Sequence, residues 1–332
     1  MDTSKTKKGP KKFWTKSEIV LVVAIFYLLG TLTPILLYLF LPPDNKHAYT
    51  IDPANYIERQ QKEKRSFPNE EQLKREKKEL WETTTVLRSA LYQFVKKNGY
   101  MPENLLALTN EYLTGIPKEP LTFSNRVVQT FTSEGGWLYR PRLVSNLNES
   151  LLKGSIAEAI IPNIKAEVRN QIPFEPLAVM ISLPDHKLQL VSMGKTIREY
   201  PVGLGRDGKT PLGEFTIVEK VMNPNEQFFS SNESPYGKRG MELSDSMYAI
   251  HGTNETESIG NNDSNGCIRM MNDDIIRLYS MVPLYTSVEI TEKNETGKIG
   301  TVRKADDFKQ NLYDEMDHPD EINESTYYFW AG

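Results

Sequence analysis

The stretch His251 to Met270, HGTNETESIGNNDSNGCIRM, holds the single cysteine of a 332-residue chain. Cys267 sits in Ser264-Asn265-Gly266-Cys267-Ile268-Arg269, and His251-Gly252-Thr253 precedes it across a loop of small and polar residues. A thiol near its free pKa of about 8.5 is mostly protonated at neutral pH, and a histidine delivered across a loop can take that proton. Gly266 has no side chain, so a substrate carbonyl can approach the backbone N–H groups around Cys267. The plain alternative is a buried, inert cysteine and a strand that ends in a turn. The sole Cys, the Gly before it, the Arg two residues on, the upstream His-Gly-Thr and the glycine-bearing loop together favour chemistry.

At these residues the sequence resembles the catalytic motif of the L,D-transpeptidases, the YkuD-type enzymes that cross-link peptidoglycan. The resemblance runs from Leu177 to about Ile290. It includes Tyr200-Pro201-Val202-Gly203-Leu204-Gly205, Thr210-Pro211-Leu212-Gly213-Glu214-Phe215 and Asn272-Asp273-Asp274-Ile275, and Asn265 stands where many members carry histidine. It implies a mainly β catalytic domain, a YkuD-type β-sandwich with a helix after the catalytic cysteine, acting on peptidoglycan stem peptides. No cluster of His, Cys or carboxylates has metal-site spacing, so no metal is expected, nor any cofactor.

In that cycle His251 activates Cys267, and N–H groups at Gly266 and Cys267 hold the oxyanion. The Gly252 carbonyl orients the imidazole. Arg269 either ties the site loops or meets a substrate carboxylate, the structural role being favoured, and Ser264 either serves the site or binds backbone. Resolution of the acyl-enzyme by an amine gives a transpeptidase and by water a peptidase. A non-catalytic envelope scaffold is the rival from another class.

A chain of this length is expected to hold two folded units plus tails. Its formal charge of -4 offers no support for nucleic-acid binding, and one cysteine allows no internal disulfide.

Residues 1–18 carry Lys5, Lys7, Lys8, Lys11, Lys12 and Lys16, and residues 19–41 are almost wholly apolar. As a helix that run is roughly 34 Å long, enough for a hydrocarbon core of about 30 Å. Lysines in front of the span put the amino terminus in the cytoplasm and the remainder outside. The apolar run is too long for a cleaved signal, so it reads as an anchor in the cell membrane, with Pro34 as a kink.

Residues 42–78 form a charged stalk, helical from about Asn69. Residues 79–145 read as a small α+β domain. Leu80, Thr84, Leu87, Leu91, Phe94 and Val95 recur at helical spacing up to Asn98-Gly99. A strand over 126–132 would then turn at Gly135-Gly136 into Trp137 to Tyr139. This region resembles the globular part of type IV pilins and type II secretion pseudopilins. It is expected to act as a spacer and, secondarily, to meet envelope protein partners. Residues 146–176 read as a connector with short helical pieces.

The catalytic domain, 177–291, opens with a hairpin, Leu177 to Ile181 against Leu188 to Val191, with His186 exposed at its tip. Met193-Gly194 leads into a strand ending at Val202, and Thr210-Pro211-Leu212-Gly213 enters a strand over 214–221. The polar loop from Asn223 to Gly240 carries Phe228 and Phe229, expected as a lid over the cysteine. A strand from Met247 presents His251, Asn272 caps the helix after the cysteine, and Thr286 to Ile290 closes the domain. The acidic tail, 292–332, ends in Tyr327-Tyr328-Phe329-Trp330, an aromatic run suited to docking on the chain or on a partner.

Overall fold

A computed structural model describes residues 75–109, 111–144, 148–165, 172–225, 228–229, 233–294, 312–313 and 327–330. The expected cytoplasmic tail, the membrane span, nearly all of the stalk and most of the acidic tail lie outside the described residues. Among the described residues no helix is long and apolar enough to cross a membrane.

Helix α1 (Arg75–Asn98) stops where predicted. Gly99 takes a φ of +80° and donates its N–H to the Val95 carbonyl at 2.8 Å, a left-handed exit that a residue without Cβ adopts freely. The helix is buried on all sides from Leu80 to Val95. Its polar residues are accommodated individually. Thr83, Thr84 and Thr85 donate to carbonyls one turn back at 2.8, 2.6 and 2.7 Å. The buried Arg88 donates to the carbonyls of Ala157, Ile160 and Ile172. Buried donors and charges persist only when partnered in this way.

The small sheet differs from the expected hairpin. Strand β1 (Val127–Val128) runs parallel to β2 (Trp137–Tyr139), pairing Val127 with Trp137. The antiparallel partner of β2 is β3 (Ile160–Pro162), which follows α2 (Glu149–Ala159). Residues expected to be a connector therefore complete this module. The module packs on the large sheet. Arg198 of the large sheet pairs with Glu82 at 2.9 Å, Leu177 N–H donates to Ser89 Oγ at 3.0 Å, and Lys220 reaches the Tyr112 carbonyl at 3.2 Å. One apolar cluster runs from α1 into the catalytic domain.

The predicted hairpins form. β4 (Ala178–Ser182), β5 (Lys187–Ser192) and β6 (Lys195–Pro201) pair antiparallel in succession. Met193 and Gly194, both at positive φ, make the tight turn between β5 and β6. His186 lies in the β4–β5 turn, but its Nε2 contacts Asn262 Oδ1 at 2.9 Å. β7 (Leu204–Gly205) pairs with β11 (Asn262–Ser264) as a separate ribbon.

The expected sandwich is realised as one eight-stranded hydrogen-bonded sheet rather than two. Its order is β12 (Ile268–Met270), β10 (Ala249–Gly252), β9 (Arg239–Leu243), β8 (Gly213–Met222), β13 (Ser287–Thr291), β4, β5, β6. The ten-residue β8 joins the halves: residues 213–216 pair with β13 and 217–222 with β9, the register shifting between Ile217 and Glu219. An irregularity of this kind lets one strand pass from one sheet half to the other. Helix α3 (Asn272–Met281) packs Ile275, Leu278 and Tyr279 into the core. Its N-cap is Met271, not Asn272. The Asn272 side chain instead accepts from Lys238 N–H at 3.0 Å and donates to the Thr253 carbonyl at 3.2 Å, tying loop to strand.

Candidate active site

Strands β10 and β12 run parallel, pairing Ile250 with Ile268, His251 with Arg269 and Gly252 with Met270. Side chains alternate between faces with period two. Ile250, Ile268 and Met270 therefore enter the core, while Ala249, His251, Arg269 and the adjoining Cys267 belong to the opposite face. The strand pattern thus brings the two residues of the expected pair together from 16 positions apart.

His251 Nδ1 lies 2.5 Å from the Gly252 carbonyl. A carbonyl can only accept, so Nδ1 carries the hydrogen and Nε2 presents a lone pair. Gly252 also admits the Asn272 side chain, since a Cβ there would lie 2.3 Å from Asn272 Oδ1.

Cys267 accepts the Ala249 N–H at 3.4 Å, and its Sγ–H points at the Met247 carbonyl, 4.0 Å away. Among the described residues these are the hydrogen-bond partners of Sγ, so thiol and imidazole share a face without being bonded to each other. Catalytic hydrogen bonds are often unformed before substrate arrives.

The pair is shut off from water. Cys267 and His251 are each 2% exposed. Burial pushes the Cys267 thiol up to about 12, against the Ala249 N–H and the Arg269 charge, which favour the thiolate. Burial also pushes the His251 imidazole down to about 4, the Gly252 carbonyl opposing and the Arg269 charge adding to the fall. At neutral pH both groups are uncharged.

Ser264 binds backbone: its Oγ donates to the Cys267 carbonyl at 2.7 Å and accepts the Gly266 N–H at 3.1 Å. The Gly266 N–H expected at an oxyanion is therefore engaged. Gly266 itself, at φ +140°, is required by space, since a Cβ would fall 2.6 Å from the Tyr248 ring. Thr210, not foreseen as part of the site, fastens the same turn by accepting from Gly205 N–H at 2.7 Å and donating to the Gly266 carbonyl at 2.9 Å. Arg269 takes the loop-tying role, pairing with Glu255 at 2.5 Å while its backbone bridges Gly203. Asn265 accepts from Arg206.

The expected lid is differently composed. Phe228 is exposed and packs edge-on to Tyr327, 4.8 Å between centroids. The rings over the pair are Tyr236, edge-on to His251 at 5.1 Å, and Trp330, stacked on it at 6.0 Å. Tyr327 to Trp330 docks on the chain itself, one of the two destinations that its aromatic character allowed.

A family model described as the YkuD L,D-transpeptidase catalytic domain matches residues 176–290. The chain is 38% identical over 133 residues to YkuD of Bacillus licheniformis, named as an L,D-transpeptidase, a match spanning 40% of this chain and 73% of that protein. It is 35% identical over 137 residues to YqjB of Bacillus subtilis, also so named, spanning 38% of this chain and 77% of the relative. A solved L,D-transpeptidase from Mycobacterium smegmatis aligns over 40% of this chain and 66% of that one, at 20% identity and a TM-score of 0.29, too low to add to this. With the family's catalytic domain matched from end to end of the large sheet, and with relatives this similar over most of their own length, the chain belongs to the YkuD-type L,D-transpeptidase family.

Proposed function

We propose that the chain is a membrane-anchored L,D-transpeptidase that joins peptidoglycan stem peptides through an acyl-enzyme on Cys267. The observation that carries the reading is the common sheet face of Cys267 and His251, with Nδ1 locked by Gly252, inside the residues that match the family. The Sγ proton passes to His251 Nε2 as sulfur bonds to the carbonyl carbon of an L,D bond. The imidazolium returns it to the departing amine as the C–N bond breaks. An amine of a second stem then attacks the thioester, gives its proton to His251, and the thiol is regenerated. A turn of the Cys267 side chain away from the Met247 carbonyl precedes the first step, and the Cys267 N–H faces the oxyanion, while the Gly266 N–H stays with Ser264.

The test is mass spectrometry of the full chain with defined stem peptides. An acyl adduct mapped to Cys267, with cross-linked dimers as products, supports the reading. Absence of an adduct sinks it, and trimmed stems without dimers turn it into a peptidase. Residues 19–41 serve as the anchor and place the catalytic domain outside the cell. Deleting residues 1–41 then moves the protein out of the membrane fraction, and retention there counts against the anchor.

A further inference from the structure

The face that carries Cys267 and His251 is covered by a segment of the same chain. Pairing aligns Val221, Gly240, His251 and Arg269 in one row across the sheet, and Glu219, Glu242 and Ala249 in the next, beside Cys267. Residues paired in register, or two apart along a strand, share a face. At Gly240 this face has a notch. A Cβ there would lie 2.3 Å from the Trp330 ring, so the indole fits only because that position lacks a side chain. Trp330 fills the notch, its ring plane 23° from that of His251, and its Nε1–H donates to Glu242 at 2.9 Å.

Tyr328 is held through its backbone. Its N–H donates to Asn225 Oδ1 at 2.8 Å, and Asn225 Nδ2 donates to its carbonyl at 2.9 Å. Its hydroxyl donates to Glu219 at 2.9 Å. One buried side-chain amide thus reads both polar groups of a single residue, which is how a peptide is gripped irrespective of its side chains. Tyr328 and Trp330 join Cys267, Ala249 and Val221 in one apolar cluster.

We propose that this face is a peptide-binding groove whose resting occupant is Tyr327 to Trp330, and that the segment must leave before an acyl donor can reach the thiol. The competing ligand is an extended peptide bearing an amine. Its backbone takes over Asn225, and its cation meets Glu219 and Glu242, which a charged donor pairs with more strongly than a phenol or an indole does. The inference rests on Cys267 being the nucleophile only for its consequence, since access to the thiol can be measured without any turnover.

Because the chain has one cysteine, iodoacetamide labelling reports on Cys267 alone. Three full-length chains are compared at one pH: the unaltered protein, Gly240→Ala, and Tyr328→Ala with Trp330→Ala. Each variant is expected to label at least about tenfold faster with its cooperative thermal transition retained, and the peptide Tyr-Tyr-Phe-Trp added to the double variant should slow labelling again. Unchanged labelling in the double variant overturns the proposal, as does a rise that the added peptide does not reverse. Fast, reversible labelling without an acyl adduct from stem peptides would leave this groove standing and strike the transpeptidase reading instead.

Discussion

The Ser264 hydroxyl closes a ring with Cys267, donating to its carbonyl at 2.7 Å while accepting the N–H of the intervening Gly266 at 3.1 Å. The turn that carries Cys267 is thereby pinned from one side by Ser264, with Thr210 holding the Gly266 carbonyl from the other. Ser264→Ala should lower kcat on the order of tenfold with KM little changed. Steady-state kinetics on stem peptides check this, and an altered KM alone would contradict the positioning role.

Buried His251 should make stability depend on pH on the acid side. Its pKa falls from 6.5 unfolded to about 4 folded, so between these values the unfolded chain binds a proton that the folded chain refuses. Stability from this group is present above 6.5 and is lost as pH falls through 4. The difference is on the order of 3 kcal/mol. His251→Gln, neutral throughout, should flatten that limb, measured as urea unfolding free energy at pH 4 and 7. Cys267 acts at the other end: below 9.0 the thiol is protonated in both states, and stability falls as pH rises toward about 12.

Glu82 and Arg198 form a buried pair at 2.9 Å between α1 and β6. Removing one partner strands a charge away from water, so Glu82→Ala should cost on the order of 3–5 kcal/mol. Glu82→Leu with Arg198→Met should recover much of that loss. Because the apolar core is continuous, urea unfolding of each variant should stay a single transition, and a separate early transition of the α1 module would argue otherwise.

Gly252→Ala places a Cβ 2.3 Å from Asn272 Oδ1 and should cut activity sharply. Asn272→Ala alone gives up two hydrogen bonds, each worth about 1 kcal/mol net. The double variant should be less impaired than the sum of the two, because the second change opens the space that the first needs. Stability and kcat of the four chains form the cycle that measures this.

Much of the large sheet is legible in the sequence because local rules suffice. Alternation and the turns at Pro184-Asp185 and Met193-Gly194 specify β4 to β6, and the motif around His251 and Cys267 marks the strand that presents His251 and the helix after Cys267, but not β12 between Cys267 and that helix. What escapes depends on distant partners. The Arg-Gly-Met-Glu-Leu of β9 has two aliphatic residues and a glycine, too little pattern to mark a strand, yet it supplies the notch for Trp330. The burial of Glu82 on α1 is not legible because its partner, Arg198, stands 116 positions away. The two-residue β1 is defined only by its parallel neighbour. Tyr328 is likewise read by Asn225, 103 positions upstream.

A sulfur kept protonated and roofed by aromatic rings is also a poor target for oxidants. Peroxide attacks the thiolate, and a sulfenic acid is rescued most readily when a second cysteine stands by to condense with it. This chain has no second cysteine. With the indole of Trp330 stacked on His251 and the edge of Tyr236 against it, the resting chain should resist peroxide at this sulfur, and sulfenic acid trapping by dimedone should run faster in Tyr328→Ala with Trp330→Ala.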